Sequence, residues 1–378
     1  MRTLANGDSN LHTAVRALAF AGLGWMRAET PLVQHGLRLY ARALRQTHTL
    51  LQDPAAAQSD SVPACCRVFS VFEMFRRAPS ASSAGAGQVM DWHRHVDSVC
   101  RLIQLRGPQA EASSDRLSLF NVTRATATFH SIGRRQPNAF TAQTWSLPRE
   151  KTLRNELSDI MSMAPTLYLW ADGFNARACR IEQPVKPSRV VKEGEEILQY
   201  ALAICDRLST WEVRAITAAQ SQSPRSDSSA KTSPADITQD ARNLIDISTS
   251  HGDDFLFLCA QFWAASLQLH CEVLKQRQRQ HLLAIGHDDV EDLPPAIDPE
   301  PHAQNLARTS AHFFRPGAGL WSAQSAVFPL GAALSYFARS GRRDDPVLED
   351  MMKTFAQTST GVVMQDFLRN IGLDCRRF

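Results

Sequence analysis

The chain reads as an all-α protein, a multi-helix bundle or array. Three observations predict this. Apolar residues recur three and four apart in one segment after another, as in Ile197, Leu198, Ala201, Ile204, Cys205 and Leu208. Long alternating patterns, the mark of half-buried strands, are missing. The periodic segments are separated by stops such as Asp53-Pro54 and Gly107-Pro108.

Taken in order, residues 1–10 are polar and carry no periodicity. Leu11 to Arg27 reads as a helix with Val15, Leu18, Ala19, Gly22 and Trp25 inward. Thr30-Pro31 reads as an N-cap followed by proline at the first helical position. The helix it starts carries Leu32, Val33, Leu37, Tyr40, Leu44 and Leu51, and pairs with the first as an antiparallel hairpin. Pro63 opens a third helix through Val68, Val71, Phe72 and Phe75; Ala78 to Gly87 is expected to be a surface loop.

Val96, Val99, Cys100 and Ile103 place a fourth helix, which Gly107-Pro108 ends by a left-handed cap and a residue that cannot continue. A fifth follows through Phe120, Val122, Thr126 and Phe129, and Gly133 to Pro148 is read as an exposed turn. Leu153–Tyr168, Glu195–Val213, Asp254–Lys275, Asn305–Phe314, Phe328–Ser340 and Pro346–Gly372 are the remaining helices, with Pro184 to Pro187 a linker and His281 to Ala303 a connection. Residues 221–240, rich in Ser, Asp, Thr and Pro, are a low-complexity loop within what is otherwise one domain over 1–378.

Composition is that of an ordinary globular chain of 378 residues, 44% apolar and 21% charged. With 41 basic and 38 acidic residues the net charge is +3, too balanced to imply nucleic-acid binding by bulk charge. No apolar run reaches the roughly 18–20 residues of a membrane span, so no membrane association is expected. A signal-peptide pattern is also missing. The eight cysteines are irregularly spaced and mostly lie in apolar helical patterns, which reads as buried reduced thiols.

One ordered series of residues carries more than composition does. Trp92 and His95 are followed by Leu102-Ile103-Gln104-Leu105-Arg106-Gly107-Pro108, then Leu119-Phe120, Arg124 and Trp145 to Pro148. Tyr40-Ala41-Arg42-Ala43-Leu44-Arg45 and Phe72-Glu73 precede it; Phe262-Trp263 and Phe328-Pro329-Leu330 follow. This series resembles the regulatory domain of fungal transcription factors over most of residues 10–373. The resemblance implies a helical regulatory domain, a nuclear protein (the cytoplasm being the alternative), and control of transcription, for instance of a secondary-metabolite gene cluster.

The chain departs from that family in one respect. Its DNA reader is a zinc binuclear cluster of six cysteines, and here the first cysteine is Cys65. Direct DNA binding by this chain is therefore not expected. A reader encoded upstream or a DNA-binding co-regulator would supply it. The alternative is that the helical domain serves as a small-molecule binder or a cofactor-independent cyclase or tailoring enzyme acting on a terpenoid or polyketide. Orientation in an apolar pocket can speed a cyclisation without conspicuous catalytic residues.

Asp288-Asp289-Val290-Glu291-Asp292 fits a magnesium-diphosphate motif, but the following Leu293-Pro294-Pro295 argues for solvated loop charge. His93 and His95 are two apart and do not share a helix face, so neither a metal nor a cofactor is called for. Arg106, Arg134 and Arg135 could hold a carboxylate or phosphate, though Arg106 fits equally well as a cap on a helix end. No nucleophile motif occurs, which leaves an enzyme as the less favoured reading. For a ligand site the expectation is Trp92, His95, Arg106 and Trp145, with no catalytic residue assigned.

Overall fold

A computed structural model describes residues 8–54, 59–76, 83–108, 114–141, 145, 152–178, 187–222, 248, 251–283 and 297–371. Among the described residues there are helices and connections but no strand. The all-α reading holds. The helices are α1 (Ser9–Arg27), α2 (Thr30–Leu50), α3 (Ser61–Phe75), α4 (Ser83–Arg106), α5 (Ser114–Arg134), α6 (Leu153–Met161), α7 (Ala164–Ala178), α8 (Pro187–Gln222), α9 (Asp253–Leu283), α10 (Glu300–Phe313), α11 (Gly319–Arg339), α12 (Pro346–Gln357) and α13 (Ser359–Asn370).

The first five helices pack pairwise in chain order. Asp8 caps α1, accepting from the Asn10 and Leu11 N–H groups at 2.8 and 2.9 Å. The α1–α2 hairpin is tight because Gly36 lets the backbones touch: a Cβ there would stand 2.6 Å from the Ala21 nitrogen. Helix α3 lies between this hairpin and α4, and is buried almost along its whole length. Gly107 ends α4 with φ +75°, its N–H reaching the Ile103 and Gln104 carbonyls.

The second array centres on α9, which packs against α8, α10 and α11. Its apolar residues are continuous with Met74, Phe75 and Ile132 of the first array, so one core runs across the junction. Helix α13 then turns back and packs on α1, α3 and α4. Phe367 meets Trp92 edge-on at 5.7 Å, and Asn370 donates to Gln88 at 3.2 Å.

Several boundaries differ from the sequence reading, each for a local reason. Leu153–Tyr168 is two helices, with Ser162 and Met163 in the break and Pro165 in the first turn of α7. Pro346–Gly372 is also two. Thr358 is extended, and its hydroxyl accepts from the Gly361 N–H at 3.1 Å, capping α13. Residues 83–87 are helical rather than loop, because Gly85 fits against the Asn370 side chain, 2.8 Å from where a Cβ would lie. Helix α11 begins at Gly319 and carries Pro329 in its interior.

The stretch after α5 is not an exposed turn throughout: Arg135 takes the left-handed conformation (φ 53°), and Asn138, Phe140 and Trp145 fold inward. The acidic run 288–292 and all but the first two residues of the loop 221–240 lie outside the described residues.

Candidate functional site

A cavity of about 1200 Å³ lies between the two arrays, its walls contributed chiefly by α3, α4, α5, α6, α9 and α11, with Tyr168 from α7. That exceeds the roughly 300–1,000 Å³ of common small-molecule pockets. Apolar side chains make up much of the wall: Met74, Trp92, Val122, Phe129, Leu267 and Phe328. Phe129 and Phe328 stack at 3.9 Å between centroids, joining α5 to α11.

Some polar groups without protein partners belong to residues of this wall. The Arg67 Nε, Trp92 Nε1, Tyr168 hydroxyl and Gln268 Oε1 are all buried, and none has a hydrogen-bond partner among the described residues. A buried donor or acceptor left unpaired costs about 1–3 kcal/mol. These four belong to residues that line the cavity, while others such as Thr123 Oγ1 and Asn175 Oδ1 lie away from it.

A charged group closes one side. Arg135 pairs with Asp172 at 2.8 Å, lies 3.5 Å from Glu272, and sits over the Tyr168 ring at 4.6 Å. Glu272 also accepts from Gln276 at 2.6 Å and faces Lys275 at 3.7 Å. Burial, and then the Glu272 charge, push the Tyr168 phenol upward, so it stays protonated.

Two histidines meet on the wall contributed by α4 and α5. His93 Nδ1 and His130 Nε2 are 2.7 Å apart, and His130 Nδ1 is 3.6 Å from Asp97. Burial first, then each other's or Arg134's positive field, holds both at about 4, well below an ordinary histidine. Asp97 is 58% exposed, so its charge is screened and does not reverse this. Both rings are neutral at pH 7. The His93–His130 contact needs a proton on one of its two nitrogens, and Asp97 at 3.6 Å is too far to accept a hydrogen bond from His130 Nδ1. Among the described residues no group of three His, Cys, Asp or Glu side chains could hold a metal.

Of the four residues expected from sequence, only Trp92 lines the cavity. His95 faces away from it, with Nε2 2.9 Å from the Tyr40 hydroxyl. Arg106 runs back to Asp60 at 3.3 Å and to the Ser59 carbonyl, tying the end of α4 to the start of α3. Trp145 stacks on Phe120 at 5.2 Å in a separate aromatic cluster with Phe140.

Sequence reasoning missed Arg67, His130, Tyr168 and Gln268. Arg67 did leave a signal: it interrupts the run Ala64-Cys65-Cys66-Arg67-Val68-Phe69, where a charge has no reason to sit. His130 left none, because its partner is 37 residues away.

Comparison with known proteins adds one partial likeness. No known family matches the chain. A curated protein of Emericella nidulans, described only as uncharacterized, is 33% identical over 111 residues. That stretch is 29% of this chain and 22% of the relative, so the match spans about a fifth of the relative's length. No solved structure matches. Among the described residues six cysteines are free, five of them buried. Among the described residues no helix is long and apolar enough to cross a membrane.

Proposed function

We propose that this chain is a ligand-binding regulatory domain. A small, largely apolar molecule occupies the cavity between the two arrays, and the bound state controls transcription through a DNA-binding co-regulator. The observation that carries the ligand half is the cavity itself, about 1200 Å³ in volume, with apolar and aromatic side chains and four unpartnered polar groups among its lining residues. The transcriptional half rests on the resemblance of the Trp92–Pro148 series and its flanking motifs to fungal regulatory domains. The cavity also suits signal transfer: helices of both arrays line it, so a ligand that prefers one packing would shift their relative position. A secondary-metabolite gene cluster is the proposed target and the nucleus the proposed compartment.

A second reading has its own observation. The His93–His130 pair, neutral at pH 7, stands among the lining residues of the cavity, and an imidazole is the kind of base that a cofactor-independent cyclase or tailoring enzyme would use. One experiment separates the two. The gene is deleted, and transcripts and metabolites are profiled from one culture. Regulation predicts that a set of transcripts falls together. Catalysis predicts steady transcripts, one lost metabolite and an accumulated precursor, and the purified chain should convert that precursor. Neither pattern would leave both readings without support.

A further inference from the structure

Arg67 is the least expected side chain in the molecule. It is 3% exposed, yet no carboxylate lies within ion-pair distance among the described residues. Its hydrogen bonding there is a single contact, Nη1 to the Ser70 hydroxyl at 2.9 Å, and Ser70 is itself turned to the Arg67 carbonyl at 2.8 Å. Nε has no partner. By contrast Arg124, as deeply buried, reaches Asp159 at 2.6 Å, and Arg106 reaches Asp60. Arg67 and Met74 are seven apart on α3 and both line the cavity, so one face of this helix looks into it.

An unpaired buried cation is among the costliest groups a fold can keep. Burial alone holds the Arg67 guanidinium at about 10, which still leaves it charged at neutral pH. The five N–H groups of an arginine form a planar fork matched to a carboxylate. Met74, Trp92, Phe129 and Phe328 give the wall an apolar and aromatic stretch that suits a hydrocarbon or polycyclic body, while Arg134, Arg154, Lys275 and Arg339 also stand among the lining residues.

We propose that the cavity takes an amphipathic organic acid, its carboxylate seated on Arg67 and its apolar body lying along Met74, Trp92, Phe129 and Phe328. The proposal rests on the ligand-binding reading above and narrows it to a chemical class. Tyr168 and Gln268 offer one donor and one acceptor for a further oxygen function on that body. In this scheme the acid is the missing counter-ion of Arg67, and its arrival neutralises a charge at the junction of the two arrays.

The test uses the full chain and four probes in matched pairs, dodecanoate with dodecanol and 2-naphthoate with 2-naphthylmethanol, by titration calorimetry; inorganic phosphate is the fifth. The expected result is an acid-over-alcohol preference of at least about ten-fold in one pair, the weight of a charge-assisted hydrogen bond. Phosphate should bind far more weakly. In Arg67→Met the preference disappears while the alcohol still binds; in Arg67→Lys part of it survives. Equal binding of acid and alcohol by the wild-type chain overturns the proposal and leaves the ligand-binding reading standing. Phosphate binding as tightly as the acids overturns it too. Should none of the five bind, both fall. The wild-type preference decides the matter even if Arg67→Met does not fold, and a preference that survives in a folded Arg67→Met overturns the assignment of Arg67.

Discussion

Two buried polar groups on the same helix are handled in opposite ways. At the end of α3, Glu73 is sealed inside a closed network. Its Oε1 accepts from the Tyr40 hydroxyl at 2.6 Å, its Oε2 lies 2.7 Å from Arg76 Nε, and Tyr40 accepts in turn from His95. Gln88 donates to the carbonyls of Glu73 and Arg76 and accepts from Asn370. The Tyr40 ring lies flat on Phe72 at 4.1 Å. Two turns earlier, Arg67 has one hydroxyl and a cavity. Burial is common to both; a counter-charge is not. A polar group that the chain satisfies for itself serves the fold. One left open on a cavity wall points to something the chain does not contain.

The largest expected effect tests the satisfied side. Trp145→Ala should destabilise the chain by about 3–5 kcal/mol, since the ring is fully packed between Phe120 and Phe140. Trp92→Ala should cost less, because one side of that ring already faces the cavity. For ligand binding the order should reverse. Urea unfolding and calorimetric titration of the two variants measure both rankings, and equal effects of the two on binding would erase the division between closed core and open wall.

The next effect compares the charges directly. Glu73→Ala strands Tyr40, His95 and Arg76 together, and breaking a buried pair costs about 3–5 kcal/mol. Arg76 is 32% exposed and also lies 3.5 Å from Asp91, which places the loss toward the lower end. Arg67→Met should be neutral or stabilising in the free protein, because replacing an unpaired buried charge by an apolar side chain removes a penalty. A loss in Arg67→Met as large as in Glu73→Ala would mean that Arg67 serves the fold after all.

A smaller effect concerns acid. Burial holds His93, His95 and His130 at about 4 in the folded chain, against 6.5 for the ordinary side chain. Between those values the unfolded chain binds protons that the folded chain refuses. Stability should therefore be fully present above about pH 6.5 and be lost as pH falls toward 4. Urea midpoints across that range give the slope. Titration of the His95 and His93 rings by NMR shows whether the closed network and the cavity wall hold their imidazoles alike; a ring that titrates near 6.5 is in contact with water.

How much of this was legible in the sequence follows from range. The helices were legible because the apolar period and the stops are local: Gly107 caps α4 as its position predicts. The breaks at Ser162 and Thr358 were not, because apolar spacing continues across both and only the backbone at Thr358 turns away. Gly85 was read as loop because its reason for being helical is Asn370, at the other end of the chain. Trp92 was found as a wall residue because it stands in a recognisable series. His95 and Arg106 stand in the same series, but they close contacts with Tyr40 and Asp60. The cavity is a property of two arrays meeting, and no segment encodes it alone.

The smallest effect belongs to a half-buried group with neither network nor cavity. Glu212 on α8 is raised to about 7 by burial, and no ion pair or hydrogen bond reaches it from the described residues. Cys259 of α9 is its titratable neighbour, and the Glu212 charge adds to the burial that pushes that thiol upward. Between about 4.5 and 7 the folded chain keeps a proton that the unfolded chain releases, so this residue makes stability fall as pH rises, opposite in sign to the histidines. The two slopes offset each other below pH 6.5. Glu212→Gln should therefore leave the melting temperature unchanged near pH 4, raise it by a few degrees at pH 8, and steepen the acid-side loss that the histidines produce. If the pH 8 value does not move, water reaches the carboxylate, and an unpaired group away from the cavity costs nothing. The four unpartnered atoms on the cavity wall would then have to be defended by ligand binding alone.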